Sequence, residues 1–213
     1  MAEMTSYTTL AGAARAEFTE RRSQFIGSVK PVASEQEAMS FLGKVRAEFP
    51  DARHHVYAYH VLGENGMPVR RYSDDGEPQG TGGLPVLDVF VKKDIINAVV
   101  VVTRYFGGIL LGAPGLVRAY GKTASLAVAE AGILTMELCC DVSVCVDYSM
   151  YGKIQKCLEN YRCIIKPPVF GADVTLTVTV PASDAERLQK NIIDLTSAVC
   201  SISLGPKAFQ YID

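Results

Sequence analysis

The stretch INAVVVVTRYFGGILLGAPGLVRAYGKTASLAVAEAG, residues 96–132, decides how this chain folds. Its first part, 96–106, carries consecutive valines that do not alternate with polar residues, so it reads as a β-strand covered on both faces. The glycine-rich turn GGILLGA follows, and Pro114 then opens a helix that runs to about Ala131. Proline suits a first turn because its missing N–H has no helical acceptor there, and Gly132 suits the position just past the end. The expected inward stripe is Val117, Tyr120, Ala124, Ala127 and Val128.

Working outward, residues 7–10, 15–20 and 23–32 read as short strands and 54–62, HHVYAYHVL, as a β-branched and aromatic one. Ser34 with Glu37 three residues on forms a capping box, and Ala38, Phe41, Leu42, Val45 and Phe49 recur at helical spacing, which predicts a helix over 35–49. Residues 84–93 read as a short helix with Pro85 in its first turn. Beyond Gly132 the texture changes to alternating strands such as DVSVCVD and DVTLTVTV. A weak repeat at a constant offset relates Ser149, Ile154, Leu158 and Tyr161 to Ser183, Leu188, Ile192 and Leu195, each set lying between two strands. That is the split βαβ pattern of a ferredoxin-like domain. The fold class is therefore α+β in two domains, residues 1–134 and 135–213, the second being ferredoxin-like βαββαβ.

Composition excludes several classes. With 48% hydrophobic and 21% charged residues the chain can bury a core, so it is not disordered as a whole. The net charge of -2 gives no global field toward nucleic acid, and any such site must be local. The longest aliphatic run, Ala98–Val102, is too short to span a bilayer and no leader pattern opens the chain, so a cytoplasmic address is expected. All six cysteines lie between Cys139 and Cys200 without a C-x-x-C pair and are expected to be reduced, buried hydrophobes.

The run RRYSDDGEPQGTGG, 70–83, reads as a loop and carries more chemistry than a loop needs. With the prolines at first-turn positions, Leu84 and Ala113 would cap the helices at Pro85 and Pro114, and neither side chain can accept a hydrogen bond. Glycines precede both: Gly80, Gly82 and Gly83 in one case, Gly107, Gly108 and Gly112 in the other. The orphan N–H groups need an acceptor from elsewhere. It is either an external phosphate, which a helix N-terminus attracts, or Asp74, Asp75 or Glu77 folding back. By contrast, Ser183 and Glu186 should close the last helix as a second capping box.

Arg104, Arg118 and Lys122 could surround the Gly107 and Gly108 loop with positive charge, joined by Arg53, Arg70 and Arg71, with Tyr72, Tyr105 and Phe106 as stacking aromatics. The candidate phosphate or nucleic-acid site is thus Arg104, Gly107, Gly108, Arg118, Lys122, Gly82 and Gly83, beside the motif loop Ser73, Asp74, Asp75, Gly76, Glu77 and Pro78. No metal site is expected, because DDGE lacks the spaced ligands of a calcium loop. Turn formation at Asp75-Gly76 and capping are the simpler use of these carboxylates. GKTAS at 121–125 is no phosphate loop, since Leu116 stands where its first glycine belongs and the segment is helical. His54, His55 and His60 form no catalytic spacing. No cofactor is expected and no catalytic residue is assigned. Were the chain an enzyme acting on a phosphorylated small molecule, Asp74 or Glu77 would serve as base or ligand.

YSDDGEPQGTGGLPVL (72–87), VVVTRYFGGILLGAPGLVRAYGKTA (100–124) and FPDARHH (49–55) resemble the signature segments of the IMPACT/YigZ family, and the likeness runs from about residue 15 to the end. Eukaryotic members carry an N-terminal RWD domain that has no counterpart here, so the resemblance is to the bacterial YigZ branch. It implies a first domain with the fold of a small-subunit ribosomal protein and of elongation factor G domain IV, a fold shared with small-molecule kinases. It also implies a second domain similar to a ferredoxin-like domain of elongation factor G. The eukaryotic relatives regulate translation through a protein partner, and the partner expected here is RNA, the ribosome or a regulatory protein. The family usually has another glycine where Ala113-Pro114 stand.

Overall fold

A computed structural model describes residues 4–63 and 66–212. They divide into two compact units, residues 7–134 and residues 135–212 joined by residues 4–6. The opening strand is β1 (Ser6–Leu10). The Thr5 carbonyl accepts the Leu138 N–H at 2.8 Å, and residues 4–6 belong with the second unit; the Thr8 carbonyl accepts the Ile96 N–H, and residues 7–134 form the first.

The first unit continues with β2 (Ala14–Glu20), β3 (Ser23–Pro31), α1 (Glu35–Glu48), β4 (His54–Leu62), β5 (Pro68–Ser73), α2 (Gly83–Lys92), β6 (Ala98–Tyr105) and α3 (Gly112–Ala131). Its sheet has the order β2-β3-β6-β4-β5 with every ladder antiparallel. The valine run lies in the central strand β6. Ala98, Val100 and Val102 point into the core shared with α2 and α3, while Val99 and Val101 point to the opposite face, where α1 packs. Both faces are apolar because both are covered, each buried valine contributing about 1.5–3 kcal/mol.

Three expectations change. Arg70–Ser73 are part of strand β5 rather than loop. An edge strand exposed along most of its length carries polar residues on both sides, which hides its period. Both proline helices begin two residues early: α2 starts at Gly83 with Gly82 as cap, and α3 at Gly112 with Leu111 as cap, so each proline is the third helical residue. The buried stripe of α3 is Leu116, Ala119, Tyr120, Thr123, Ala124, Ala127 and Val128; Val117 faces outward, 39% exposed.

The second unit comprises β7 (Ile133–Val146), α4 (Tyr148–Leu158), β8 (Ile164–Ile165), β9 (Val169–Phe170), β10 (Val174–Pro181), α5 (Ala185–Thr196) and β11 (Ser201–Gln210). Strand order β11-β7-β10-β8 follows from the ladders and is that of a ferredoxin-like sheet. The repeat is visible in the core, where Ile154 and Leu158 of α4 and Leu188 and Ile192 of α5 are buried on one face of the sheet. Ser183 does not cap α5. The cap position is Asp184, which makes no side-chain capping bond, and its carboxylate pairs instead with Arg187. Of the six thiols, all free, only Cys139 and Cys140 are fully buried, and burial pushes both upward in pKa, keeping them protonated. Among the described residues no helix is long and apolar enough to cross a membrane.

Candidate functional site

The loop between β5 and α2 spends each of its three carboxylates on a different element. Asp74 turns back onto the start of α2. Its Oδ1 accepts the N–H groups of Gly82 and Gly83 at 2.9 and 2.8 Å, and its Oδ2 accepts that of Gly80 at 2.8 Å. Of the two acceptors the sequence left open for this helix, the internal one is present. Gly83 permits it: a Cβ there would stand 2.8 Å from the Ser73 carbonyl carbon, so no larger residue lets the helix start lie against β5. Burial alone would raise the Asp74 carboxyl, but the three donors outweigh it and hold it below the ordinary range.

Asp75 sits at the turn, with Asp75 and Gly76 both at positive φ. Its Oδ2 accepts the His55 N–H and its Oδ1 the Arg46 guanidinium, both at 2.7 Å, while its carbonyl accepts from His54 Nδ1 at 2.8 Å. A carbonyl can only accept, so the His54 proton sits on Nδ1. Glu77 goes deepest, its side chain only 4% exposed. One oxygen, Oε1, accepts from both Arg104 Nη1 at the end of β6 and the Tyr120 hydroxyl of α3, with His54 Nε2 3.9 Å away. Burial first, then the neighbouring Glu77 charge, pushes the Tyr120 hydroxyl far up, so it stays a donor. The loop ties together α1, β4, α2, β6 and α3. Among the described residues no group of His, Cys, Asp and Glu is placed to hold a metal ion.

Arg104 is not part of an open cationic surface. It is 6% exposed, paired to Glu77, and lies 5.4 and 5.6 Å from the ring centres of Phe25 and Phe106; its Nε is buried with no partner. Gly107 beside it is a packing point: its N–H donates to Ser23 Oγ at 3.1 Å, and a Cβ would stand 2.0 Å from the Arg22 carbonyl carbon. Its neighbour Gly108 needs its glycine for a φ of +82° and faces open space. Gly82 packs against Val56. Arg118 and Lys122 stand apart from Arg104, exposed on the outer side of α3, with Lys122 Nζ 4.2 Å above the Phe18 ring. Arg70 and Arg71 lie on β5, at the opposite sheet edge from β2, against which α3 packs. Arg70 donates to His60, whose other nitrogen meets the Ile95 carbonyl at 2.8 Å, and burial lowers the pKa of both His55 and His60. Tyr72 and Phe106 are exposed, and the Tyr105 hydroxyl donates to Asp51.

The residues that keep company with Arg118 and Lys122 escaped the sequence reading. A groove of about 460 Å³ between α2 and α3 brings Lys92 and Lys93 to them, and a smaller one of about 240 Å³ on the other side brings Arg21 and Glu20. Arg21 and Arg22 form the whole two-residue connection of β2 to β3, both at positive φ, where Asn and Gly are the usual choice. Two arginines at a tight hairpin were a readable signal.

Asp74→Ala is expected to lower stability by about 2 kcal/mol, since it removes a charged cap from three amides. Asp74→Asn, which keeps one acceptor oxygen, should lose less. The carboxyl is depressed on folding, so this contribution is present above the ordinary aspartate value near 4 and is lost as pH falls through the lower folded value. Urea denaturation of wild type and Asp74→Ala from neutral to acid pH checks it: the two curves should converge in strong acid.

The architecture defines a class: a two-domain α+β protein whose first domain is an antiparallel sheet between α1 and the α2–α3 layer, and whose second is ferredoxin-like. Residues 21–128 match the model of the Impact N-terminal domain, and residues 144–198 match a domain of unknown function, DUF1949. The chain is 35% identical to the IMPACT family member YvyE of Bacillus subtilis over 94% of its length and 91% of that protein. It is 31% identical to the IMPACT family member YigZ of Escherichia coli, over 83% of this chain and 86% of that one. A crystal structure of a hypothetical protein superposes with a TM-score of 0.62 at 30% identity, covering 95% of this chain and 98% of that one. The chain belongs to the IMPACT family.

Proposed function

We propose that this protein works by binding rather than by catalysis, as a regulator attached to the translation machinery, with contact made by the first domain along the exposed side of α3. The observation that carries the reading is the engagement of Asp74, Asp75 and Glu77 with backbone amides, Arg46, Arg104 and Tyr120. Acid–base chemistry by Asp74 or Glu77 would require breaking the bonds that hold the loop to α2, β6 and α3. Arg118 and Lys122 are exposed, and the loop at Gly107 and Gly108 carries Phe106, Ile109 and Leu110, the last 80% exposed. Cations beside solvated apolar side chains suit a macromolecular partner: RNA, the ribosome or a regulatory protein. The translation role is the one the family resemblance implies.

The test is a filter-binding titration with structured RNA, together with sedimentation with purified ribosomes, each at two salt concentrations. Retention on at least one is expected, weakening with salt, and Arg118→Ala with Lys122→Ala should weaken it roughly tenfold by removing two cationic contacts. No retention on either, or retention indifferent to the double variant, counts against the proposal.

A further inference from the structure

The groove between α2 and α3 differs in composition from a surface built for phosphate alone. Its floor is apolar: Leu84, Pro85, Val89 and Val117, with Leu84 43% and Val117 39% exposed. Gly121 lies opposite Pro85, where even a Cβ would be 3.7 Å from the Pro85 carbonyl oxygen, so the two helices meet with little side chain between them at that point. The rim is cationic. Lys92 and Lys93 end α2 on one wall, and Arg118 and Lys122 rise from α3 on the other, against one carboxylate, Asp88. Among the described residues none of these four makes an ion pair, in a chain whose net charge is -2.

A cationic rim attracts any polyanion, and the floor discriminates among them. A phosphodiester backbone gains nothing from covering Leu84 and Val117, whereas apolar side chains removed from water onto them do. An occupant that satisfies both is a peptide with carboxylates on its flanks and apolar anchors on one face, laid between two helices. We propose that the α2–α3 groove docks an acidic, apolar-anchored peptide segment of a protein partner. This rests on the reading of α3 as the binding side of the molecule and names the chemistry of what it meets there.

The test is fluorescence anisotropy on the full chain with three labelled probes: an amphipathic peptide of about 12 residues bearing Asp and Glu with leucines at helical spacing, the same peptide with every leucine replaced by serine, and a single-stranded RNA of similar length. The leucine peptide should bind, and more tightly than the other two probes. Its affinity should fall about tenfold or more in Lys92→Glu with Arg118→Glu, and by a similar factor in Val117→Ser, which leaves every charge in place. All three positions are exposed, so thermal melting of the variants should match wild type. Equal binding of the serine peptide, tighter binding of the RNA, indifference to the variants, or no peptide binding would each overturn the proposal. If RNA or ribosomes are still retained while the peptide is not, the groove assignment alone fails; if nothing is retained, the binding reading fails with it.

Discussion

Glu77→Ala should destabilise the first domain by about 3–5 kcal/mol, the usual consequence of removing one partner from a buried ion pair. The arginine left behind is 6% exposed and already has one nitrogen, Nε, without an acceptor, so losing Glu77 leaves a buried cation with no counter-charge. The Tyr120 hydroxyl loses its acceptor at the same time. Replacing both members, Glu77→Leu with Arg104→Met, should recover most of the loss, because the desolvation of the two charges disappears together with their attraction. Urea denaturation followed by far-ultraviolet circular dichroism, with hydrogen exchange of the β6 amides, measures both. A single variant that loses less than about 1 kcal/mol would show that the pair is open to water.

Gly107→Ala should be the most damaging single methyl group in the first domain, beyond about 4 kcal/mol, with Gly108→Ala as its control. An alanine Cβ at 107 would stand 2.0 Å from the Arg22 carbonyl carbon, 2.2 Å from its oxygen and 2.4 Å from the Ser23 nitrogen. All three atoms are backbone, so no rotamer relieves the overlap, and the turn that holds them has Arg21 and Arg22 already at positive φ. Position 108 asks only for a φ of +82° in open space, which costs an alanine about 1 kcal/mol. The adjacent glycines should therefore separate by several kcal/mol in the same denaturation assay. Similar losses at both would mean that the hairpin turn moves freely away from the loop.

What the sequence disclosed follows the reach of each signal. The doubly covered strand was readable because Val99 and Val101 are as apolar as Val100 and Val102, and α1 because Ser34 accepts the Glu37 N–H within one turn. The starts of α2 and α3 lie two residues before their prolines because the first-turn N–H groups are all orphans, so proline is as admissible at the third position as at the first. Spacing alone turns Val117 inward, whereas the facing wall of α2 makes it line a groove. The charge of Arg104 was legible but not its burial, which depends on Glu77, 27 positions earlier, and Tyr120, 16 later than the arginine. The acidic loop leaves its alternatives open for the same reason: the acceptors are local, but four of the seven donors to these carboxylates are distant in sequence.

That distance has a consequence for synthesis. Glu77 waits for Arg104, 27 positions on, and Tyr120, 43 positions on, before its charge has anywhere to go. A nascent chain that has released only the acidic segment from the ribosomal exit tunnel holds an unmatched carboxylate over an incomplete sheet. The tie at Glu77 closes only once α3 has emerged.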